Sequence, residues 1–122
     1  KNIDRLLHLP VQSGSNDILK KMNRWYTREE YLELIDRIRT KIPEMTFTTD
    51  IIVGFPGETR KDFEDSIDLV KRVDFAKTFI AWYSPRPGTV ATKDMKDDIL
   101  IEEKQRRFHE LDAVAFKGKK RE

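Results

Sequence analysis

Three clusters of polar side chains interrupt this 122-residue sequence, and each cluster follows a stretch of apolar residues. They contain hydroxyl groups, an amide, a carboxylate and a guanidinium: Gln12, Ser13 and Ser15; Asp50 with the loop 54–58; and Ser84, Arg86 and Thr89. Such groups suit a polar ligand with ribose and amino-acid moieties better than an apolar ligand. The sequence has no Ser-His-Asp arrangement, Walker loop or metal-ligand spacing, so hydrolysis and phosphoryl transfer have no support.

Some of these features also have a purely structural interpretation. The segment 54–57 is typical of a simple turn, because glycine supplies positive φ and proline fixes the bend. The segment 13–16 is also typical of a helix cap. His8 lies within an apolar run, which favours a packed core histidine, whereas His109 lies on a charged helix and is expected to face solvent.

Two charged residues favour a functional interpretation. Asp50 stands beside Ile51 and Ile52, and a carboxylate in apolar surroundings needs a partner. Arg86 lies between two prolines, which hold it stiffly and favour a positioned contact over a random surface charge. Both residues therefore remain candidates for ligand binding.

Composition excludes several classes of protein. The 24 Lys and Arg residues against 22 Asp and Glu residues give a net charge of +2, too small to imply nucleic-acid binding on electrostatic grounds alone. No apolar run approaches the roughly 20 residues that cross a bilayer, and no secretory signal is visible, so we expect a cytoplasmic protein with no membrane partner. Without cysteine, the chain itself forms no disulfide, thiolate zinc site or iron–sulfur centre.

The elements that position these polar clusters alternate between strands and helices. Thr27 with Glu30, and Thr59 with Asp62, have the spacing of residues that open helices. The apolar stripe of Tyr31, Leu34, Ile35 and Ile38 marks the buried side of the first long helix. We therefore expect strands at 5–12, 46–53 and 75–83, a short helical turn at 17–22, and helices beginning near 27, 59 and 101.

Three strands, each followed by a helix, predict an α/β fold with parallel pairing and right-handed crossovers. Parallel sheets are rarely this small, so either neighbouring strands are missing or the chain assembles with another. A piece of a barrel is favoured over a compact three-layer domain with helices on both faces. A barrel piece would expose Leu9, Val11, Ile52 and Ile80 to water, which predicts a marginal or self-associating isolated chain.

Four sequence blocks resemble the radical S-adenosylmethionine methylthiotransferases. The blocks are 8–15, 22–24 with 26–31, 49–59, and 83–89, and the likeness extends from about Asn2 to Leu111. The Gly-Phe-Pro-Gly-Glu-Thr run occurs across several radical enzymes, so the specificity lies in the order and spacing of all four blocks. The best match is with bacterial members that add a methylthio group to C2 of a prenylated adenosine next to the tRNA anticodon.

The resemblance implies a (β/α)6 partial TIM-type barrel, of which residues 1–116 would be the second half and 117–122 a charged tail. It also implies two cofactors, S-adenosylmethionine and 4Fe-4S clusters, the latter ligated by cysteines outside this chain. On this resemblance, the family's N-terminal cluster domain and C-terminal RNA-binding TRAM domain would lie outside this chain. The partners would be tRNA and the rest of the chain's own polypeptide, and this cysteine-free fragment is expected to be inactive alone.

Other interpretations of the function remain open. Within the same chemistry, related enzymes methylthiolate an aspartate of a ribosomal protein or threonylcarbamoyl-adenosine. A hypothesis from a different class is a non-catalytic α/β binding module that has the same half-barrel fold. The last alternative is an ordinary α/β domain of unrelated function whose turns match by chance.

The resemblance also implies which residues contact S-adenosylmethionine. Gln12 and Ser13 correspond to the position that meets its ribose and methionyl parts. Segment 52–55 corresponds to a motif that packs on the adenine, and segment 81–84 to a strand edge offering it backbone hydrogen bonds. The contact residues implied by these two segments are Ile52, Gly54, Phe55 and Ser84.

Four charged residues complete the implied site. Asp50 stands where the family motif has glycine, and Glu58 lies one place late, so the resemblance does not fix their individual roles. Arg24 and Arg86 are candidates for carboxylate or phosphate contacts, since a guanidinium grips either group bidentately. No residue of this chain is assigned to catalysis or to a metal.

Overall fold

The computed structural model describes residues 5–84 and 99–116, which form one three-stranded sheet and four helices. The prediction of parallel strands, each followed by a helix, is confirmed: the strand order is β1-β2-β3 and both pairings are parallel. None of the helices in these two ranges is both long enough and apolar enough to span a membrane. The elements are β1 (Leu6–His8), α1 (Asn16–Lys21), α2 (Arg28–Lys41), β2 (Thr46–Val53), α3 (Arg60–Val73), β3 (Lys77–Trp82) and α4 (Ile101–Phe116).

The two central helices begin where the sequence predicts, and each begins with a capping box. At α2, Glu30 N donates to Thr27 Oγ1 over 3.1 Å, and Thr27 N donates to Glu30 Oε1 over 3.0 Å. At α3, Thr59 and Asp62 make the same reciprocal pair at 3.1 and 2.9 Å. These bonds satisfy backbone donors that have no partner inside the helix, and so fix the first turn of each helix.

The two faces of the sheet have different environments. Alternate residues of β2 (Phe47, Thr49, Ile51 and Val53) are buried, and the apolar ones join a single core cluster with side chains from α2, α3 and α4. On the opposite face, Asp50 and Ile52 are only half-buried. One face of β2 is therefore covered and the other is partly exposed, and this partly exposed side is called the open face below.

The open face differs from the predicted one in its residues. Of the four apolar residues expected there, only Ile52 lies on it. Val11 is fully buried, Leu9 packs against the core, and Ile80 pairs with Ile51 on the covered side. The open face instead carries His8, which pairs with Thr48 in the register, together with Leu6 at 55% exposure and Phe79 at 49%.

The first strand is shorter and more exposed than predicted. Regular pairing covers only Leu6–His8, and the chain then follows β2 through separate bonds, with Leu9 N donating to Thr48 O over 2.8 Å. His8 is exposed, so the expectation of a packed core histidine is wrong, whereas His109 is exposed as predicted. The cause is the place of β1 in the described sheet, where only one of its sides is paired.

Candidate functional site

The ends of the three strands meet along one edge of the sheet. Gln12 N donates to Asp50 O over 2.8 Å, and Gln12 O accepts from Ile52 N over 3.0 Å. On the other side of β2, Tyr83 N donates to Val53 O over 2.8 Å. Gln12, Val53 and Tyr83 therefore lie side by side at the carboxyl ends of parallel strands, where α/β folds bind ligands. This edge is called the strand-end edge below.

A histidine and a carboxylate form a polar group on the open face. His8 Nδ1 lies 2.6 Å from Thr48 Oγ1, and His8 Nε2 lies 3.5 Å from Asp50 Oδ2. The Phe79 ring meets the His8 ring edge-on, with centroids 6.0 Å apart. His8 is thus the partner that Asp50 was expected to need. The sequence did not reveal this contact, because it depends on the register between β1 and β2.

The serine turn after Gln12 is a buried structural unit. Ser13 is fully buried, and its Oγ accepts from Ser15 N over 3.1 Å. Ser15 Oγ donates to Asp62 Oδ1 over 2.8 Å and caps α1. Gly14 N donates to Ser66 Oγ over 2.8 Å, so the turn is fastened directly to α3. Ser13 and Ser15 therefore hold the backbone beside Gln12, which is half-buried at the strand-end edge.

A buried ion pair supports the glycine turn after β2. Glu58 Oε1 accepts from Gly54 N over 2.7 Å and from Arg107 Nη1 over 2.8 Å. The exposed fraction of the side chain is 0% for Glu58 and 8% for Arg107. Burial raises the pKa of the Glu58 carboxyl, and the Gly54 amide and Arg107 only partly oppose that rise. Within the part of the chain that the structure describes, Glu58 Oε2 has no hydrogen-bond partner.

Helix α4 joins the glycine turn to the end of β3. Lys104 Nζ donates to Tyr83 O over 2.9 Å, and the Tyr83 ring meets the Phe55 ring edge-on at 5.2 Å. Gly54 has φ +72°, and a Cβ on it would lie 2.6 Å from Lys104 Cγ. Glycine is thus required at position 54 both by its backbone conformation and by the close approach of α4.

Sequence reasoning missed Lys104 and Arg107 as parts of this site. Both lie on a highly charged helix, where solvent exposure is the ordinary expectation, yet both are buried. The available signal was the helix's own pattern: Lys104, Arg107 and the buried Leu111 recur at i, i+3 and i+7, along one helix face.

The structure brings some of the predicted contact residues together and separates others. Gln12, Asp50, Ile52 and Gly54 lie along the strand-end edge, and Ser84 is exposed next to Tyr83. Phe55 is 6% exposed and packs beneath Tyr83, so its side chain supports the turn. Arg24 is exposed in the connection between α1 and α2, and Arg86 lies outside the described residues.

The part of the chain that the structure describes offers no cluster of metal ligands. It contains no cysteine, and the described ranges hold no group of three His, Asp or Glu side chains that could bind a metal ion. The accessible side-chain groups at the strand-end edge and the adjoining open face are an amide, a carboxylate and an imidazole. These groups suit hydrogen bonding to an organic ligand.

Comparisons with known proteins agree with this arrangement. A family model described as the Radical SAM superfamily matches residues 1–70. Three curated relatives share the name tRNA-2-methylthio-N(6)-dimethylallyladenosine synthase. The Thermotoga petrophila protein is 56% identical over 109 residues (89% of this chain, 25% of the relative), and the Carboxydothermus hydrogenoformans protein is 58% identical over 105 residues (86% and 24%). The Clostridium botulinum protein is 55% identical over 112 residues (92% and 24%), so the chain spans about a quarter of its relatives' length.

Proposed function

The chain belongs to the radical SAM superfamily, and from this premise we propose that it forms the second half of the catalytic barrel of a tRNA methylthiotransferase. The observation that carries the proposal is the 55–58% identity to tRNA-2-methylthio-N(6)-dimethylallyladenosine synthases, which extends over 86–92% of the chain. The proposed reaction adds a methylthio group to C2 of a prenylated adenosine next to the anticodon. The names of these relatives favour this substrate over a ribosomal aspartate or threonylcarbamoyl-adenosine.

The strand-end edge fits the adenosyl part of S-adenosylmethionine. Ile52 offers an apolar surface for the adenine, and the backbone beside Ser84 offers hydrogen bonds to its polar edge. Gln12 and Asp50 provide an amide and a carboxylate for the ribose and methionyl groups. Three further residues fix the conformation of the turns. Ser13 and Phe55 do so as buried side chains, and Gly54 does so by its left-handed backbone. When bound, S-adenosylmethionine and a 4Fe-4S cluster supply the radical chemistry.

The remaining assignments follow from the same proposal. Residues 1–116 form half of the barrel and 117–122 a charged tail. The cysteine ligands of the cluster lie outside this chain, in a longer polypeptide, because the chain itself has no cysteine. That longer polypeptide is called the complete enzyme below; we place it in the cytoplasm, with tRNA as its substrate and no membrane partner. The 122-residue chain alone is inactive, and Arg86 remains a candidate for a carboxylate or phosphate contact.

The test of the proposed function uses the complete enzyme, reconstituted anaerobically. Incubation with tRNA bearing the prenylated adenosine should yield a methylthio nucleoside, detected by mass spectrometry after digestion. The ribosomal protein and tRNA bearing threonylcarbamoyl-adenosine should remain unmodified in parallel reactions. Product on either of these two substrates alone, or on none of the three, would refute the proposed reaction.

A second measurement tests the cofactor site itself. Ile52→Ala should weaken S-adenosylmethionine binding about tenfold, because the side chain loses three carbons of apolar contact. Asp50→Asn should weaken binding as well, while the cluster absorbance stays at the wild-type level in both variants. The matched control is Ile67→Ala, on α3 and outside the strand-end edge. Wild-type affinity in both site variants would remove the cofactor from this edge.

A further inference from the structure

A basic and aromatic segment joins α1 to α2. Lys20 and Lys21 lie in the last turn of α1, and Arg24 and Trp25 follow after two intervening residues. Trp25 is 96% exposed, and the three cations are exposed as well. The segment 20–25 contains no acidic residue. It is called the α1–α2 corner below.

The backbone of the α1–α2 corner is well supported although its side chains face water. Asn23 N donates to Lys20 O over 3.0 Å, and Arg24 N donates to Leu19 O over 2.8 Å. Asn23 adopts a left-handed conformation with φ 66°, and Leu19 is buried beneath the turn. The exposure of Trp25 therefore arises from a hydrogen-bonded turn that directs a large aromatic side chain into solvent.

The α1–α2 corner also contacts the strand-end edge. Tyr26, the residue after Trp25, donates from its Oη to Val11 O over 3.0 Å, and Val11 directly precedes Gln12. On the other side, Lys21 Nζ lies 2.7 Å from the position that a Cβ on Gly57 would occupy. The corner thus adjoins the two described turns of the proposed cofactor site, which follow Gln12 and Val53.

We propose that the α1–α2 corner is a contact surface for single-stranded RNA. A nucleotide base stacks on Trp25, and Arg24 and Lys20 contact the flanking phosphates. Aromatic side chains set among cations are the pairing that binds unpaired nucleotides, because the ring stacks on a base while the cations neutralise the backbone. Because the net charge of the whole chain is only +2, the electrostatic attraction for RNA phosphates must come from the cations of the corner itself.

This inference rests on the proposed function, since it deepens the assignment of tRNA as the substrate. The position of the corner gives it a physical role. A base that is modified at the strand-end edge must leave its stack, and its neighbours then need a surface that holds them. Trp25 offers that surface beside the site, so it would hold a nucleotide flanking the modified adenosine.

The test measures RNA affinity with the complete enzyme and an unmodified anticodon stem-loop, by fluorescence anisotropy at several salt concentrations. Trp25→Ala should raise the Kd about tenfold, and Trp25→Phe should recover most of the affinity, because a ring is retained. Arg24→Ala should weaken binding and reduce the slope of log Kd against log salt by about one. The matched control is Lys41→Ala, an exposed lysine at the far end of α2.

The outcomes separate this inference from the proposed function. If Trp25→Ala and Arg24→Ala bind the stem-loop with wild-type affinity while the wild type forms product, the corner is not an RNA surface and the proposed function stands. A second outcome is that Trp25→Ala lowers the melting temperature and weakens RNA binding no more than Lys41→Ala does. In that case another part of the polypeptide covers Trp25, and the inference is overturned. If the wild type binds RNA through the corner but forms no product, the reaction fails and the inference holds.

Discussion

Removal of Arg107 should loosen the strand-end edge, because Arg107 neutralises a carboxylate that is sealed from water. Arg107 Nη1 donates to both Glu58 Oε1 and the Glu58 backbone oxygen, at 2.8 and 3.1 Å. In Arg107→Met, the bond from Gly54 N is the one that the described residues still give the Glu58 carboxylate, and its charge remains buried. Removing one partner of a buried ion pair costs about 3–5 kcal/mol. We therefore expect this variant to be severely destabilised around the glycine turn.

The companion variant Glu58→Gln should be much less damaging. Its amide oxygen still accepts from Gly54 N, and no charge is left without a partner inside the protein. Its expected cost is about 1–2 kcal/mol, from the loss of one charged hydrogen bond to Arg107. The double variant Glu58→Gln with Arg107→Met should be more stable than Arg107→Met alone, because the buried charge is then absent. This coupling distinguishes an ion pair from simple side-chain packing.

The same pair predicts a pH dependence of defined sign. Burial raises the pKa of Glu58 above its ordinary 4.5, so the folded state binds a proton more tightly than the unfolded state. Stability then falls as pH rises from about 4.5 through the folded pKa, and the full cost of burying the charge is present above it. Glu103 has a lowered pKa and acts oppositely, losing its stabilising effect as pH falls below its ordinary value. The difference between wild type and Glu58→Gln isolates the Glu58 contribution.

Hydrogen–deuterium exchange of the complete enzyme measures these effects locally. The Gly54 amide and the amides of α4 should exchange more than a hundredfold faster in Arg107→Met than in wild type. The matched control is Arg106→Met, on the same helix with an exposed side chain that pairs with Glu103. Equal exchange rates in the Arg106 and Arg107 variants, or a Glu58→Gln difference that does not change with pH, would refute the buried-pair reasoning.

Close packing makes two glycines sensitive to substitution. Gly54→Val should weaken S-adenosylmethionine binding while the cluster stays assembled, because the new Cβ would clash with the Lys104 side chain. Unchanged affinity would contradict this. In Gly14→Ala, the new Cβ lies 2.5 Å from a backbone oxygen of α3, which should lower the free energy of unfolding by about 1–3 kcal/mol in urea. Thr27→Ala removes the α2 cap and should cost about 1 kcal/mol in the same assay. In sedimentation, the isolated 122-residue chain should self-associate through the open face around Phe79; a dilute, cooperatively folding monomer would contradict this.

The helices were predictable because their signals are local. Thr27 with Glu30 and Thr59 with Asp62 carry the capping information within four residues, and both caps form as expected. Parallel pairing was also predictable, since alternation of strands and helices leaves few connections. The placement of the first two polar turns, after Gln12 and Val53, at one edge followed from that topology alone.

The faces of the strands were harder to predict, because they depend on register. Ile52 and Ile80 look equivalent in sequence, yet Ile80 pairs with Ile51 and therefore lies on the opposite side from Ile52. A shift of one residue moves a side chain from core to ligand face, and the sequence of a short strand does not fix that shift. The same uncertainty hid the contact between His8 and Asp50, which lie 42 positions apart in the chain.

The two faces of β2 have different functions in the fold. Phe47 and Val53 on the covered face pack in the core against side chains of the helices. Asp50 and Ile52 on the other face remain half-exposed. A carboxylate beside His8 and an apolar side chain in one row suit the proposed ligand, which has both polar and aromatic parts. Buried Glu58 and Arg107 then hold the adjoining turn rigid from the opposite side. This arrangement predicts that ligand affinity depends on both pairs of residues: on Asp50 and Ile52 through direct contact, and on Glu58 and Arg107 through their support of the glycine turn.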